Sequence, residues 1–282
     1  MAGQGNAAAQ FNMGRLYAKG QGVAQNYQEA MKWYRLAAGQ SHADAQFSLG
    51  GLYAGGLGVA QDFKESAKWV RLAAEQGHPY AQFDLGYMYA FSTDDGLGVA
   101  PSFKEAAKWY RLAAEQGIDV AQFFLGNLYA RGQGVAQDFK EAAKWYRLAA
   151  GQGDAYAQFS LGVMHNDGQG VAQDFKEAAK WLRLAAGQGH ADAQFHLGMM
   201  YHYGHQGVPS IPVAAYALYN LSAANDSSST NKASANRTRL VQTMSPQEIE
   251  VGQALTRELS KPGNFLKALD QYVKMTVSKS AK

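Results

Sequence analysis

Residues 45–77 read AQFSLGGLYAGGLGVAQDFKESAKWVRLAAEQG, and close copies of this stretch recur along the chain. Tryptophan occurs at positions 33, 69, 109, 145 and 181, which gives spacings of 36, 40, 36 and 36 residues. The string Ala-Gln-Phe begins six times, at positions 9, 45, 81, 121, 157 and 193. Because self-similarity at a fixed period is the sequence signature of a repeat protein, the recurrence of this stretch predicts a repeat architecture.

Each repeat is predicted to hold two helices. The second helix begins at Asp62-x-x-Glu65, a capping-box pattern in which each side chain should accept a hydrogen bond from a free backbone N–H of the other residue. It should end near Gly77, because glycine readily adopts the left-handed conformation of a helix cap; Ser41 takes that position in the first repeat. The capping pair recurs as Asn26/Glu29, Ser102/Glu105, Asp138/Glu141 and Asp174/Glu177.

The first helix, at about residues 80–90 in the third repeat, carries a glycine in its middle, Gly86. A glycine there costs roughly 1 kcal/mol relative to alanine, so its recurrence predicts a neighbouring helix that packs too closely for a Cβ atom. We expect the repeating tryptophan to be that neighbour, with alanines such as Ala73 and Ala74, and all five tryptophans to be core. No single repeat can bury both of its helices, so the repeats should stack into a solenoid.

The spacing resembles a known family. The pattern Ala-x-Ala-Gln-x-x-Leu-Gly-x-x-Tyr-x-x-Gly-x-Gly-Val, followed by Ala-x-x-Trp-x-x-x-Ala-Ala-x-x-Gly, is similar to the Sel1-like repeat of the tetratricopeptide-repeat superfamily, over residues 2–225. The resemblance implies an all-α fold, a right-handed α/α superhelical solenoid of helix-turn-helix repeats, used as a non-catalytic protein-interaction scaffold and common in bacteria. Two departures are an insertion near residues 91–94 and an eroded last repeat, with Leu218 in place of tryptophan.

Six repeats are predicted, at about residues 2–38, 39–74, 75–114, 115–150, 151–186 and 187–225. Residues 226–282 should form helices that cap the stack. One should begin at Ser245-Pro246-x-Glu248, and a last amphipathic helix should span 265–277. Because residues 2–11 match residues 150–159, we expect the chain to open inside a repeat whose upstream half is missing. The compartment is left open between periplasmic or secreted and cytoplasmic.

One stripe of the first helix differs in every repeat. With residues placed about 100° apart on a helical wheel, Asp44, Ser48, Gly51 and Gly55 share one arc, and their counterparts change from repeat to repeat. We call these four positions in the six repeats the variable stripe. The charges of the second helix, such as Lys68 in the same repeat, reappear nearly unchanged. Unconstrained drift of exposed positions should have scattered those charges as well, so the contrast favours a functional stripe.

Aromatic and arginine side chains, the usual anchors of interfaces, collect in the stripe. In the resembled family this helix lines the concave surface of the solenoid. The stripe therefore predicts a groove for a protein or peptide, centred on the third and fourth repeats. A carbohydrate or cell-wall fragment stacked on the rings is the alternative, and a purely structural repeat is a third interpretation. The predicted binding residues are Arg15, Lys19, Tyr80, Asp84, Tyr87, Phe91, Phe124, Asn127, Arg131, Tyr156, Asp167, His196 and Tyr203.

If these residues serve only binding, alanine at Tyr87, Phe91 and Phe124 should abolish binding and leave the melting curve nearly unchanged.

The stripe carries acidic residues such as Asp84 and few cations, which argues against binding to the phosphate backbone of RNA.

The composition argues against nucleic-acid binding, membrane insertion and cysteine chemistry. The chain has 282 residues, of which 47% are apolar and 17% charged, with 26 basic and 23 acidic side chains that alternate and form no basic face for nucleic acid. No apolar run approaches the ~20 residues of a membrane helix. The absence of cysteine excludes disulfides, Cys-type zinc sites and thiol nucleophiles.

The Gly-x-Gly loops join helices and lack the following Lys-Ser/Thr of a phosphate loop, so we interpret them as turns. Gln46 and its counterparts should satisfy backbone groups, and His42, His78 and His190 should be structural. The histidines of the last repeat are predicted to be surface or core residues rather than a metal site; they are His190, His196, His202 and His205. We therefore expect a non-enzymatic monomer without catalytic residues, cofactor, metal, nucleic-acid partner or membrane insertion.

Overall fold

The computed structural model describes residues 5–93, 96–228 and 231–280, and within these ranges the chain is built from α-helices. The all-α prediction is confirmed; the other regular feature there is an isolated antiparallel bridge between His205 and Val208. None of these helices combines the length and apolarity that crossing a bilayer requires. The helices are α1 Ala7–Lys19, α2 Tyr27–Ala38, α3 Ala43–Gly55, α4 Phe63–Glu75, α5 Pro79–Phe91, α6 Phe103–Glu115, α7 Asp119–Arg131, α8 Phe139–Gly151, α9 Ala155–Asp167, α10 Phe175–Gly187, α11 Ala191–Tyr203, α12 Pro212–Asn225, α13 Ala233–Val241, α14 Pro246–Leu259 and α15 Phe265–Ser280.

The chain divides into two compact units, Met1–Gln137 and Asp138–Lys282. In the first unit α1, α3 and α5 each pack against the following even-numbered helix, and that helix packs against the first helix of the next repeat. The second unit follows the same scheme from α8 to α12, after which α12 contacts α13, α14 and α15. The predicted insertion ends at Asp94, which lies outside the described residues.

Side chains cap the second helices, but the predicted reciprocal box does not form there. The Asp62 carboxylate accepts hydrogen bonds from the backbone N–H groups of Lys64 and Glu65, at 2.9 and 3.0 Å. The Asp62 backbone N–H donates instead to the Tyr53 carbonyl at 3.0 Å, which leaves Glu65 free to pair with Lys68 at 3.2 Å. In the described ranges both halves of a capping box are present at Ser245, as predicted for α14.

The ends of the second helices follow the predicted left-handed caps. Gly77 has a φ of 87°, and Gly117, Gly153 and Gly189 are similar. Ser41 takes the same conformation in the first repeat with a φ of 61°, and is the non-glycine residue with positive φ in the described ranges. A side chain is unfavourable in this region because its Cβ crowds the backbone.

We expect Ser41→Gly to raise the free energy of unfolding by about 0.5–1 kcal/mol, because relief of the left-handed strain exceeds the added flexibility of the unfolded chain. Urea unfolding followed by far-UV circular dichroism measures the change. Ser41→Ala is the control, since alanine keeps the Cβ atom and should gain nothing. A loss of stability in the glycine variant would contradict the assignment.

The glycine in the first helix does receive a close neighbour, but tryptophan is not that neighbour. A Cβ atom on Gly86 would lie 2.7 Å from Cδ1 of Tyr110, and one on Gly50 would lie 2.6 Å from Cγ2 of Val70. Both neighbours directly follow the repeating tryptophan in the sequence. The prediction that tryptophan packs on the glycine is wrong, because the next residue occupies the face of the second helix that meets its own first helix.

The tryptophans lie between repeats instead. Trp109 is 8% exposed and belongs to a buried cluster with Val70 of α4 and Leu85 of α5. Trp145 is also buried, whereas Trp33, Trp69 and Trp181 are half-buried, so the core prediction is met fully at two of the five positions.

Buried glutamines join the repeats, as predicted for the series of Gln46. The Gln46 amide donates to the Ala38 carbonyl at 3.2 Å, and its oxygen accepts from the Gln76 amide at 2.5 Å. Gln82 repeats both contacts, with Ala74 and Gln116 as its partners. These side chains satisfy the last carbonyls of the second helices, which the helix itself leaves unpaired.

Candidate functional site

The first unit places most predicted stripe residues at the surface of the first helices. Tyr80, Tyr87 and Phe91 of α5 are 56%, 42% and 49% exposed. Arg15, Lys19 and Arg131 are also exposed, whereas Asp84, Phe124 and Asn127 are half-buried. Large apolar side chains are rarely left in water together, so these rings mark a surface that is available to a partner.

The rings from two repeats meet in what we call the aromatic cluster, which consists of Phe83, Tyr87, Phe91, Tyr110 and Phe124. The centroids of Tyr87 and Phe91 are 4.6 Å apart. Phe124 of α7 meets both edge-on, at 6.2 Å and 89° from Tyr87 and at 5.8 Å and 80° from Phe91. These separations lie in the range that favours aromatic pairs, so α5 and α7 present one continuous surface.

Tyr110 and Phe83 form the base of this cluster, which the sequence analysis did not identify. Tyr110 is wholly buried, and its ring stacks on Phe124 at 5.4 Å and 22°. Phe124 therefore also contacts the core, and we expect its removal, unlike that of Tyr87 and Phe91, to lower the melting temperature. An aromatic residue after the tryptophan, as in Tyr34 and Tyr146, was the available signal in the sequence.

Asp84 lies one turn before Tyr87 on the same face of α5. Within the described part of the chain, its half-buried carboxylate has no hydrogen bond or ion pair. Burial raises the pKa of this carboxyl from 3.8 to about 6. Burial also raises the pKa of Tyr110, and the nearby Tyr87 and Asp84 add to that shift. At neutral pH the cluster thus holds an ionised carboxylate without a partner.

The charges that recur in the second helices make structural contacts, so they are not a neutral reference for the drift of exposed positions. Lys68 pairs with Glu65, and the Arg71 guanidinium donates to the hydroxyl of Tyr89 in the next repeat at 2.8 Å. The same arginine–tyrosine bond recurs as Arg35–Tyr53, Arg111–Tyr129 and Arg183–Tyr201. The arginine contacts link neighbouring repeats and the lysine pairs lie within one helix, so these charges are not free of structural constraint. The contrast with the variable stripe therefore does not by itself separate drift from function.

The second unit carries its own exposed aromatic residues. Tyr156 is 61% exposed and Tyr203 is 65% exposed. Tyr203 stacks on His202 at 4.3 Å and 10°. His196 is half-buried with Nδ1 2.9 Å from the Asp192 carbonyl, and the exposed Asp167 accepts a hydrogen bond from Asn166 at 2.8 Å. Ring contacts also join these two helices, because Tyr156 lies 4.8 Å from His190 and Phe159 of α9 meets His196 of α11 at 5.2 Å.

Of the three histidines predicted to be structural, His78 and His190 cap helices, whereas His42 makes no capping hydrogen bond and stacks on Phe11 at 4.9 Å. His78 caps α5 by accepting from the Ala81 N–H at 3.1 Å, and its ring lies 4.6 Å from Phe47 of the preceding repeat. His190 makes the same two contacts, and burial lowers its pKa, which favours the neutral ring that the cap requires. In residues 5–93, 96–228 and 231–280, no three metal-binding side chains are placed to share an ion.

Comparisons with known proteins agree with this architecture. The sequence model of the Sel1 repeat matches residues 7–42, 43–78, 79–118, 119–154, 155–190 and 191–227. A Sel1 repeat protein from Oxalobacter formigenes is similar, with 36% identity, a TM-score of 0.65, and coverage of 78% of this chain and 86% of that one.

The protein c5321, a protective antigen of uropathogenic Escherichia coli with the same fold, is 31% identical with a TM-score of 0.62. That match covers 97% of this chain and spans 64% of the E. coli protein. No functionally curated protein matches significantly. With six matched repeats and two such structural relatives, the chain belongs to the Sel1 repeat family.

Proposed function

We propose that this chain is a non-catalytic scaffold that binds a peptide or a segment of a partner protein along the variable stripe of the first unit, centred on the aromatic cluster of α5 and α7. Sel1 repeats are in general protein–protein interaction modules. The observation that carries the proposal is the group of exposed rings, Tyr87 and Phe91, which rests on the buried base formed by Tyr110.

Rings held in this way suit an interface. Aromatic side chains dominate the binding energy of many interfaces because they bury a large area with few rotatable bonds. Phe124 restrains both rings by edge-on contact, so little conformational entropy remains to be lost on binding. Tyr80, at the opposite end of α5, extends the exposed surface along the same helix.

A random-peptide display selection on the immobilised chain tests the proposal, followed by fluorescence anisotropy with one synthetic peptide from it. We expect Tyr87→Ala combined with Phe91→Ala to weaken binding about 100-fold or more, because two anchors of at least ~2 kcal/mol each are removed. Phe124 is left in place so that the base of the cluster survives.

The matched control is Leu72→Ala combined with Leu112→Ala. These leucines are each 37% exposed on second helices, outside the variable stripe, so the control removes two large apolar side chains and should leave binding unchanged. Equal affinity of the Tyr87/Phe91 variant and the wild type would contradict the proposal. Glycan binding that is lost in the same variant, with no peptide selected, would assign the surface to the carbohydrate alternative instead.

A further inference from the structure

We propose that Asp84 and the rings beside it form a recognition site for an arginine side chain of the partner. This inference rests on the proposed function and specifies the chemistry of the residue that the site takes. The site comprises the carboxylate of Asp84, the exposed rings of Tyr87 and Phe91, and the edge-on ring of Phe124.

The charge arrangement favours a cation. The Asp84 carboxylate has no hydrogen-bond donor or ion pair in the described residues, although it is half-buried. Carboxylates removed from water are destabilised unless they are paired. The faces of aromatic rings carry partial negative charge and also attract cations. A cation placed here would therefore satisfy the carboxylate and the rings together.

The combination of a carboxylate with aromatic rings favours arginine over lysine. A guanidinium group is planar, stacks on aromatic rings and donates two parallel hydrogen bonds to a carboxylate, and it is less strongly hydrated than an ammonium group. Asp84 and Tyr87 are three residues apart on α5, so their side chains lie on one face of the helix. The face of a guanidinium group can stack on an aromatic ring while the N–H groups at its edge donate to the carboxylate.

The third repeat is distinct in this respect. The residues equivalent to Asp84 in the other five repeats carry no carboxylate; they are Asn12, Ser48, Phe124, Ser160 and His196. A repeat frame therefore does not require an acid at this position. Burial raises the pKa of Asp84, which means that keeping its carboxylate ionised costs free energy. A bound cation would offset that cost.

Nuclear magnetic resonance with isotope-labelled Tyr and Phe rings tests the inference, with N-acetyl-arginine amide as the probe. At about pH 7.5 the Asp84 carboxyl is ionised. We expect the resonances of Tyr87 and Phe91 to shift with a Kd of about 1–10 mM, the range for one anchored side chain. N-acetyl-citrulline amide, a neutral isostere, should bind at least about tenfold more weakly.

Asp84→Asn should weaken binding of the arginine probe by about tenfold or more. The variant should fold normally, because the substitution removes a half-buried charge. Glu115→Gln is the matched control: it neutralises an exposed acid at the end of α6, away from the stripe, and should leave probe binding unchanged. Two results would overturn the inference: N-acetyl-lysine amide binding as tightly as N-acetyl-arginine amide, or an unchanged Kd for the arginine probe in Asp84→Asn.

Failure of this inference is distinguishable from failure of the proposed function. If a display-selected peptide binds through Tyr87 and Phe91 but keeps its affinity in Asp84→Asn, the scaffold proposal stands and the arginine site is overturned. If the selected peptide contains an arginine, its replacement by citrulline should cause the same loss as Asp84→Asn, and the two changes together should cause little further loss.

Discussion

Replacing Trp109 by alanine is expected to lower the free energy of unfolding by about 3–5 kcal/mol. The side chain is 8% exposed and contributes to a buried cluster with residues of α4 and α5. Its removal leaves a cavity between two repeats, and the repeats hold together mainly through such neighbour contacts. Urea unfolding followed by far-UV circular dichroism measures the loss.

Leu112→Ala is the control on the same helix, because Leu112 is 37% exposed and its truncation should cost less than about 1 kcal/mol. Under native conditions the Trp109 variant should still bind a stripe-directed peptide, since Trp109 lies outside the aromatic cluster. A loss below about 1 kcal/mol for Trp109→Ala would show that the contact between the repeats does not depend on this ring.

Gly86→Val is expected to destabilise the protein by about 3 kcal/mol or more. The added Cβ atom would lie 2.7 and 2.9 Å from ring carbons of Tyr110. Tyr110 has no room to move, because it is wholly buried and stacked on Phe124. The substitution should also displace the aromatic cluster and thereby weaken a stripe-directed peptide, which anisotropy measures beside the unfolding curve.

The matched control is Gly51→Val, at an exposed position of α3 where a Cβ atom meets nothing within 4 Å. Its stability should stay within about 0.5 kcal/mol of the wild type, since valine is no worse than glycine in a helix. Equal stability of the two variants would contradict the close packing of α5 on α6.

Local signals predicted the helices well. The Asp62 cap, the left-handed Gly77 and the proline start of α14 are each fixed by neighbouring residues, and their recurrence in phase identified the repeat. Reciprocity in the capping box was the exception. The carbonyl of Tyr53 comes from the preceding helix, and a pattern of adjacent residues carries no information about such an acceptor.

The candidate site was predicted in part. Wheel positions identified the exposed Tyr87 and Phe91, because period and composition suffice to find a solvent-facing arc. The wheel did not distinguish Phe124 from those exposed rings. Phe124 occupies the same stripe position as Asp84, but it packs on Tyr110 from the neighbouring repeat. Nor did the wheel show that Arg71 is engaged by Tyr89, eighteen residues away.

The family, the all-α class, the number of repeats and the ends of the second helices were predictable from the amino-acid sequence, because each depends on interactions within a few residues or on the period itself. Three features became visible with the packed helices: the residue that faces the helix glycine, the tryptophans that are fully buried, and the place where the rings of α5 and α7 meet. Those outcomes depend on how side chains from separate helices share space, and a linear pattern does not encode the relative rotation of two packed helices.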